Sequence, residues 1–410
     1  MKIFIVCSNL CFGGAERVAA TLANSFHDRG HEVVVVTNLF EKINYSLNQG
    51  IITENLVSTN DNKIKKWGSS IFLLRKQIRH HQPNVVIAIM RTCGLISKLS
   101  TLDTNTKVIM TEHNSFERPE SAPFSFTEKI FKFHLNKIYK HVTVLTEADK
   151  KVIGNKLNEV TVMSNPLCLK PIEEFPTKEK IVLAAGRVDG WHVKGFDILL
   201  QVWSKIISNE QLEISNYDYS QNGKPSHWWL NIAGDGKKES FEYLMNLLPD
   251  GEWVFNDNDD DNDNKSAVWR SEKYRIEFLG FRKDIEELYK KSSIFVLSSR
   301  YEGFGLVLIE AMSQGCAPVA CDYKGRQREI LSPLQGDSLK VNGYSDHGIE
   351  VTENGILCEP DNVEALASAL KKMVEDEDYR KKVQLNAVER SKFYTMENTM
   401  NRWENLLKTI

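Results

Sequence analysis

Residues 298–315 of the chain read SSRYEGFGLVLIEAMSQG, and the short apolar runs 294–297 and 317–320 lie on either side of them. Both runs have the length and the boundaries of buried strands. The stretch therefore predicts a strand, a tight turn and a helix. Gly303 and Gly305 permit close backbone approach and positive φ, and a helix that begins near Leu306 presents unpaired N–H groups and a positive dipole end. Such a helix end attracts phosphate.

Two glutamates narrow this prediction. Glu302 lies in the turn, and Glu310 lies one helical turn beyond Leu306, so both carboxylates can face the same crevice as the exposed amides. Carboxylates are poor partners for phosphate but accept hydrogen bonds from sugar hydroxyls. The combination indicates a nucleotide-sugar. The alternative is an ordinary glycine turn before a helix, with two solvated glutamates.

Length and composition indicate a two-domain globular protein. At 410 residues the chain is too long for one ordinary core, and its 41% hydrophobic and 26% charged residues are typical of soluble proteins. Residues 1–176 contain 22 Lys and Arg against 16 Asp and Glu, a net charge of +6. The remaining 234 residues contain 30 against 39, a net charge of -9. The two halves are therefore expected to face different partners.

Cysteine usage indicates a reducing compartment. The seven cysteines, at positions 7, 11, 93, 168, 316, 321 and 358, form no CxxC pair, which argues against a disulfide framework or a zinc site. The apolar run at the N-terminus stops after six residues, which is too short for a signal peptide, and no run approaches the length of a membrane span. We expect a cytoplasmic protein.

Strand and helix patterns alternate along the chain in two series. The first occupies residues 1–166, a proline-containing charged linker follows over 167–180, and a second series covers 181–385. This alternation predicts two doubly wound, Rossmann-like α/β domains that face each other across a cleft. The closing helices, over 386–410, are expected to pack back on the first domain.

Two segments do not fit the alternation. Residues 256–264 are an acidic tract of Asn and Asp, and residues 334–350 are a polar insertion that contains glycine. The tract lacks the glycine and terminal glutamate of a calcium-binding loop, so a solvated loop is favoured over a metal site.

Glycine turns and basic residues follow several predicted strands. Gly13 and Gly14 end the first strand without the third glycine of the dinucleotide fingerprint, so they either cradle an anion or form a structural turn. Arg187 and Lys194 follow the first strand of the second series, where ligands bind in doubly wound sheets. Two cations beside a helix N-terminus fit a diphosphate, and solvated loop charges are the alternative.

Two further side chains lie at predicted strand ends. His113 follows a strand in the first series and would face Glu302 across the cleft, where it could bond a hexose hydroxyl, although a single histidine is as often structural. Backbone groups beside Phe281 could receive a nucleobase, and the alternative is a core aromatic residue.

A basic stretch suggests a surface partner. Residues 63–79 contain Lys63, Lys65, Lys66, Trp67, Phe72, Arg75, Lys76 and Arg79, a pattern that fits either an anionic membrane surface or a solvated helix face. Nucleic acid is disfavoured because the whole chain is slightly acidic and contains no recognition motif.

Together these motifs resemble the signature of the retaining glycosyltransferases of family 4, which have the GT-B fold, and in particular those that make bacterial surface polysaccharides. The resemblance covers nearly the whole chain. It rests on EGFG at 302–305 followed by EAM at 310–312, on the Gly13–Gly14 turn, and on the pairs Glu112–His113, Gly186–Arg187 and Lys194–Gly195, with LGF at 279–281 and NGIL at 354–357. The separation of Arg187 from Lys194 is longer than usual for the family, which makes the transfer of a role to Lys194 less secure.

The resemblance implies a role for each matching position. Arg187 and Lys194 would hold the donor diphosphate with the amides near Leu306 and Val307, and Glu310 would bind the ribose. Glu302 and the Gly303-Phe304-Gly305 loop would contact the donor sugar, His113 would approach that sugar from the acceptor domain, and Gly14 would lie near the phosphate. Family members usually need no metal or other cofactor, and we expect a UDP-linked donor.

The predicted activity is transfer of a hexose-type sugar, with retention of configuration, from a nucleoside-diphosphate sugar to an acceptor hydroxyl. The acceptor is expected to be a saccharide or lipid-linked saccharide at the inner face of the cell membrane. The alternatives are a nucleotide-sugar epimerase, a phosphorylase of the same fold, or a sugar-nucleotide-binding protein without turnover. A nicotinamide dehydrogenase is disfavoured by the missing fingerprint.

Overall fold

The computed structural model describes residues 1–11, 13–37, 45–56, 63–118, 123–209, 227–256, 268–332, 344–345 and 347–410. Backbone contacts divide the chain into two compact units. The first unit comprises Met1–Cys168 and Tyr394–Ile410, and the second comprises Leu169–Phe393. The residues predicted as a linker, 167–180, therefore belong mostly to the second unit, and 386–393 do so as well.

The first unit is built on a parallel sheet of seven strands in the order β3-β2-β1-β4-β5-β6-β7. Its strands are β1 (Lys2–Cys7), β2 (Glu32–Thr37), β3 (Ile52–Asn55), β4 (Val85–Ile89), β5 (Lys107–Thr111), β6 (His141–Val144) and β7 (Glu159–Val162). The helices between them are α1 (Gly14–Asp28), α2 (Lys63–His81), α3 (Met90–Ser100), α4 (Phe126–Phe133) and α5 (Glu147–Ile153).

The second unit is built on a mixed sheet of nine strands in the order β10-β11-β12-β9-β8-β13-β14-β16-β15. Its strands are β8 (Glu179–Ala185), β9 (Trp229–Ala233), β10 (Val254–Asn256), β11 (Val268–Ser271), β12 (Ile276–Gly280), β13 (Ser292–Leu297), β14 (Ala317–Cys321), β15 (Ile349–Thr352) and β16 (Gly355–Cys358). Its helices are α6 (Trp191–Lys194), α7 (Phe196–Asn209), α8 (Lys238–Asn246), α9 (Ile285–Lys291), α10 (Leu306–Ser313), α11 (Arg326–Leu331), α12 (Val363–Glu375) and α13 (Glu377–Ser391).

The doubly wound prediction is confirmed for both units. The strands nearest the middle of each sheet are mostly buried apolar runs, as in β1, β4 and β13, because helices cover both faces of a parallel sheet. In the second unit the chain begins at β8 and adds strands first on one side and then on the other. The strand order therefore reverses between β8 and β13, and ligands bind outside the carboxyl ends of strands at such a point.

Several elements were not predicted from the sequence. Helix α3 follows its strand directly, and α5 and α11 have only seven and six residues, too few for a helical period to appear. The strands β10, β11 and β15 add antiparallel pairs at the two edges of the second sheet, so this sheet is not wholly parallel. Strand β3, at the edge of the first sheet, was also missed, because its half-exposed residues carry no apolar run.

The two irregular segments fall partly outside the described residues. Of the acidic tract, Asn256 ends β10, and 257–264 lie outside the described part of the chain. Of the insertion, residues 334–343 and 346 also lie outside it. Glu350 belongs to β15 and its carboxylate accepts a hydrogen bond from Arg328 at 2.5 Å, so the C-terminal part of the predicted insertion is an ordered edge strand.

The closing helix, α14 (Met396–Thr409), belongs to the first unit and packs on α1. The indole of Trp403 lies edge-on to the ring of Phe26, with 6.2 Å between centroids, and Arg29 donates to the side chain of Asn401 at 2.9 Å. A bridge between Leu167 and Thr395 joins the two pieces of chain that complete this unit. In the described residues no helix is both long enough and apolar enough to cross a bilayer.

Close backbone approach at the carboxyl edge of the second sheet depends on glycine. A Cβ on Gly234, just beyond β9, would lie 1.8 Å from the carbonyl oxygen of Gly186, just beyond β8. A Cβ on Gly195, whose φ is 65°, would lie 2.1 Å from the carbonyl oxygen of Ser298, just beyond β13. The main chain itself therefore forms the floor of this edge.

We predict that Gly234→Ala lowers the free energy of unfolding by about 2 kcal/mol or more, because the methyl group must displace the β8 backbone. Urea denaturation measures the change. Gly68→Ala in α2 is the control, since no atom lies within 4 Å of its Cβ position, and it should stabilise the protein by about 0.5–1 kcal/mol. A Gly234→Ala protein as stable as the wild type would contradict this description of the edge.

Candidate functional site

The turn between β13 and α10 starts the helix at Leu306, as the sequence predicts. Gly305 is the N-cap residue with φ 103°, and it offers no side chain to the amides of the first turn. Gly303, in contrast, does not have the positive φ that the sequence suggested. The side chain of Phe304 is only 4% exposed, so it packs in the core and leaves the backbone as the part of this residue that faces a ligand.

The structure brings Lys194 and Glu302 together. Lys194 Nζ lies 2.6 Å from Glu302 Oε1, and Ser299 Oγ donates to the same oxygen at 2.8 Å. Both charged side chains are partly exposed, at 25% for Lys194 and 15% for Glu302. The cation that was predicted to bind phosphate and the carboxylate that was predicted to bind sugar therefore form an ion pair with each other.

The long separation of Arg187 from Lys194 is taken up by two short helical turns. A 3₁₀ turn, Val188–Gly190, follows Arg187, and α6 ends at Lys194, where Gly195 takes a left-handed conformation. The sequence suggested that Lys194 opens the long helix, α7. In the structure it ends the short helix α6 instead. Its aliphatic carbons pass 3.1 Å from the Cβ position of Gly186, so this side chain lies over the end of β8.

Arg187 is exposed at the end of β8. Among the described residues no carboxylate lies within ion-pair distance of its guanidinium. In this respect Arg187 differs from Lys194. Its charge is available to an anion that reaches the strand ends.

The remaining donor-side residues occupy different environments. Glu310 lies in the second turn of α10 and is only 2% exposed, so its predicted contact with ribose stays a prediction. Phe281 is 47% exposed beyond the end of β12, which rules out the alternative that it is a core residue. Gly280, which precedes it, accepts a hydrogen bond from the amide of Gly234 at 2.8 Å.

In the first unit, the Gly13–Gly14 turn opens α1. Gly13 is the N-cap residue with φ 137°, and the Cβ position on it lies 2.2 Å from a carboxylate oxygen of Glu16. Glu16 therefore places its own negative charge at this helix end. The family resemblance had implied that Gly14, at the same helix end, would lie near the donor phosphate. The role of Gly14 stays a prediction.

His113 follows β5 and is half-buried. Desolvation lowers the pKa of its imidazole to about 4, and a hydrogen bond with the Asn165 side chain acts weakly in the other direction. Thr111 Oγ1 donates to the carbonyl oxygen of Ala88 and lies 3.2 Å from His113 Nε2. When the threonine hydroxyl donates to Ala88, its oxygen accepts from Nε2–H. Nδ1, which is buried, is then the acceptor nitrogen of the neutral ring.

The loop that carries His113 is fixed by residues that the sequence did not reveal. Lys132, on α4, is 2% exposed, and its ammonium donates to the carbonyl oxygens of Asn114 and Ser115 at 3.1 and 2.5 Å. Glu112 Oε2 lies 3.7 Å from the same nitrogen. Desolvation lowers the pKa of Lys132, and Glu112 and Asp149 oppose the change. A single lysine in an amphipathic helix gives no signal of this role.

The predicted approach of His113 to Glu302 stays a prediction, since the two residues belong to different units. Within the described residues no group of three or more His, Cys, Asp or Glu side chains is arranged to hold a metal ion. All seven cysteines are free thiols.

We predict that His113 makes folding pH-dependent. The unfolded chain binds a proton at this residue with a pKa near 6.5 and the folded chain only near 4, so stability falls as the pH drops through this window. Between pH 7 and pH 5 the loss is about 2 kcal/mol. Urea unfolding at the two pH values measures it, and an NMR titration reports the imidazole directly.

The His113→Gln protein should lose this part of the pH dependence. The exposed His80 provides the control, because His80→Gln should keep the wild-type behaviour. An imidazole of His113 that titrates near 6.5 in the folded protein would contradict the burial described above.

Comparison with known proteins agrees with this architecture. A Campylobacter jejuni protein named GalNAc-alpha-(1->4)-GalNAc-alpha-(1->3)-diNAcBac-PP-undecaprenol alpha-1,4-N-acetyl-D-galactosaminyltransferase is 24% identical, over 100% of this chain and 99% of its own. The amylovoran biosynthesis glycosyltransferase of Erwinia amylovora is 24% identical over 96% of both chains. A solved structure, Anabaena HepE in complex with UDP and glucose, matches with a TM-score of 0.69 and 17% identity over 100% of both chains.

Two family models divide the chain at the boundary between the units. Residues 12–168 match Glycosyltransferase Family 4, and residues 169–390 match Glycosyl transferases group 1. One conclusion follows from the combined span of the two family models, from the two doubly wound sheets and from the structural match to HepE. The chain belongs to family 4 of the glycosyltransferases, it has the GT-B fold, and it is a hexosyltransferase.

Proposed function

We propose that this enzyme transfers a hexose-type sugar from a UDP-linked donor to a hydroxyl of a lipid-linked saccharide, with retention of the anomeric configuration. The observation that carries the proposal is the pairing of Lys194 with Glu302 beside the N-terminal turn of α10. Arg187 stands exposed at the end of β8, where its charge adds to the backbone hydrogen bond from Lys237 in lowering the pKa of Asp189, and the α10 helix end offers amides that no capping side chain occupies. Cations and amides at one strand edge suit a diphosphate.

Charge balance explains why the Lys194–Glu302 pair suits this reaction. When the bond from sugar to diphosphate breaks, negative charge grows on the diphosphate oxygens. Arg187, Lys194 and the amides of Leu306 and Val307 would stabilise that charge, and preorganised donors of this kind supply much of the rate acceleration in enzymes. As Lys194 turns toward the diphosphate, the Glu302 carboxylate becomes available to accept hydrogen bonds from the donor sugar.

The pKa of His113 bears on its proposed role toward the sugar. A ring with a pKa of about 4 is neutral near pH 7, so it would act as a hydrogen-bond acceptor through Nδ1 and not as a proton donor. A hexose hydroxyl fits such an acceptor. We assign no nucleophile among the described residues, and the proposal of retention rests on the family resemblance alone.

The names of similar proteins support the choice of substrates. HepE was crystallised with UDP and glucose, which supports a UDP-linked hexose donor. The Campylobacter jejuni relative is named for an acceptor that is linked through a diphosphate to undecaprenol, which supports a lipid-linked saccharide as the acceptor. The place of this acceptor, at the inner face of the cell membrane, is our own inference. We also infer that the protein acts in the cytoplasm.

We predict that one of a panel of nucleoside-diphosphate sugars raises the melting temperature of the protein. At a ligand concentration one hundred times Kd the stabilisation is about 2.7 kcal/mol, which differential scanning fluorimetry detects as a shift of several degrees. Arg187→Ala should weaken donor binding about tenfold or more, because one charge-assisted contact is lost.

Lys205→Ala provides the matched control. Lys205 lies on α7 of the same unit, where it pairs with Glu364 at the surface at 2.9 Å, and its removal should leave donor binding unchanged. If no nucleotide-sugar shifted the melting temperature of the wild-type protein, the proposed function would be wrong.

A membrane role for α2 is also proposed, with a correction to the residues involved. Arg75 donates to the carbonyl oxygen of Leu99 at 2.6 Å and is partly buried, so it is a packing residue and not a membrane contact. Phe72, in contrast, is 69% exposed, and Lys76 and Arg79 are exposed on the same helix. The predicted contacts at Lys63, Lys65, Lys66 and Trp67 concern side chains outside the described part of the chain.

We predict that Lys76→Glu combined with Arg79→Glu reduces binding to vesicles that contain anionic lipid by more than tenfold, since each basic residue near such a surface contributes about 1 kcal/mol. Cosedimentation measures the binding. Lys371→Glu combined with Lys381→Glu, on exposed helices of the second unit, is the control and should have no effect. Equal binding by both double variants would exclude α2 as the contact.

A further inference from the structure

The loop between β13 and α10 is tied to its surroundings by one arginine. Arg300 is only 12% exposed, and its guanidinium makes four hydrogen bonds. Two parallel bonds go to the carboxylate oxygens of Asp197 at 2.8 and 2.9 Å. The other two go to Asp361 Oδ1 at 2.6 Å and to the carbonyl oxygen of His192 at 2.5 Å. Four of the five N–H donors of the guanidinium are therefore used within the second unit.

These contacts join three segments that follow different strands. His192 and Asp197 lie in the segment after β8, Arg300 itself follows β13, and Asp361 follows β16. Asp361 has a φ of 60°, an uncommon conformation for a residue other than glycine. Arg300 therefore holds together the strand ends on both sides of β13.

Arg300 and its neighbour Ser298 also hold the backbone segment that carries Lys194. The amide of Arg300 donates to the carbonyl oxygen of Val193 at 2.8 Å, and Ser298 Oγ donates to that of Lys194 at 2.8 Å. With the bond to His192, three consecutive carbonyl groups, those of residues 192–194, are held by the loop. Glu302 follows Arg300 by two residues in the same loop. The Arg300 side chain therefore ties the loop that carries Glu302 to His192, two residues before Lys194, and adds to the bonds made by the Arg300 amide and by Ser298.

We propose that Arg300 is a positioning residue for donor binding, which acts by holding the β13–α10 loop against the segment of Lys194. This inference rests on the proposed function, since it assigns to Lys194 a contact with the donor diphosphate. We place Arg300 outside the contact with the donor, because four of its five N–H donors are already bound to protein groups. Its effect passes through the distance and orientation of Lys194 relative to Glu302.

Lysine cannot replace this arginine. An ammonium is a point charge without the planar fork that binds both oxygens of Asp197 while it also reaches Asp361 and His192. Arg300→Lys therefore keeps the charge and removes the geometry. Asp361 is 60% exposed, so Asp361→Asn is a milder second variant that removes one tie and is expected to fold.

The test is a double-mutant cycle with UDP as the probe. The Kd of UDP is measured by calorimetry, at a temperature where each variant is folded, for the wild type, Arg300→Lys, Lys194→Ala and the double variant. Arg300→Lys should weaken UDP binding about tenfold. The double variant should bind UDP no more than about twofold more weakly than Lys194→Ala, because residues that act through one contact are not additive.

Arg380→Lys is the matched control. Arg380 also ties backbone in the second unit, with bonds to the carbonyl oxygens of Met373 and Val374 at 2.8 and 2.9 Å, but it lies on α13 and not at the strand ends. It should lower the melting temperature without changing the Kd of UDP by more than twofold, alone or with Lys194→Ala. Loss of stability alone then cannot explain a change in UDP binding.

The outcomes separate the two proposals. Wild-type protein that does not bind UDP contradicts the proposed UDP-linked donor. If UDP binds and Arg300→Lys binds it within twofold of the wild type, or if its effect multiplies fully with that of Lys194→Ala, the positioning role is wrong. Should Arg300→Lys fail to fold, Asp361→Asn takes its place in the cycle, with an expected weakening of at least threefold and the same criterion for additivity.

Discussion

Close contact between main-chain segments at the carboxyl edge of the second sheet underlies the candidate site. The backbone beyond β9 touches that beyond β8, and the segment after α6 touches that beyond β13, at distances that a Cβ would forbid. Glycine at positions 195 and 234 makes this approach possible, and Gly186 leaves room for the side chain of Lys194. The packing places Arg187, Lys194 and the β13–α10 loop at one edge, because each follows a strand that ends there. A small number of charged side chains on this closely packed backbone then form the candidate site.

Electrostatic balance is the second organising constraint. A cluster of cations without a ligand would repel itself and destabilise the fold, and in this unit the carboxylates Glu302, Asp197 and Asp361 accompany Lys194 and Arg300. The two cations differ in how firmly they are held. The Arg300 guanidinium makes four hydrogen bonds, whereas the ammonium of Lys194 is held by its ion pair with Glu302 and is more exposed, at 25% against 12%. Lys194 is therefore the cation that can exchange its partner, which suits the proposed binding and release of a diphosphate.

The sequence predicted the fold well, because buried parallel strands are short apolar runs and glycine turns mark their ends. The start of α10 at Leu306 and the strand ends at Ala185 and Thr111 follow from that pattern. The sequence did not predict the structural roles of Lys132, Arg300 or Glu16. The pattern around a charged residue in a helix or loop does not show whether its side chain is solvated or bound to other groups of the protein. The roles of Lys132 and Arg300 depend on partners such as Glu112, Asp197 and Asp361. These partners are distant in sequence, and only the fold brings them into contact. Similarly, the apolar pattern gave no account of the short helices α5 and α11.

The assignment of α14 to the first unit has a consequence for synthesis of the protein. The second unit, Leu169–Phe393, is inserted between the two pieces of the first, so the ribosome completes the whole second unit before it releases α14. Until then Phe26 on α1 lacks its contact with Trp403, and the apolar face of α1 that α14 covers remains open. The nascent first unit thus waits with an exposed apolar strip through the synthesis of more than two hundred residues, and chaperones recognise surfaces of this kind.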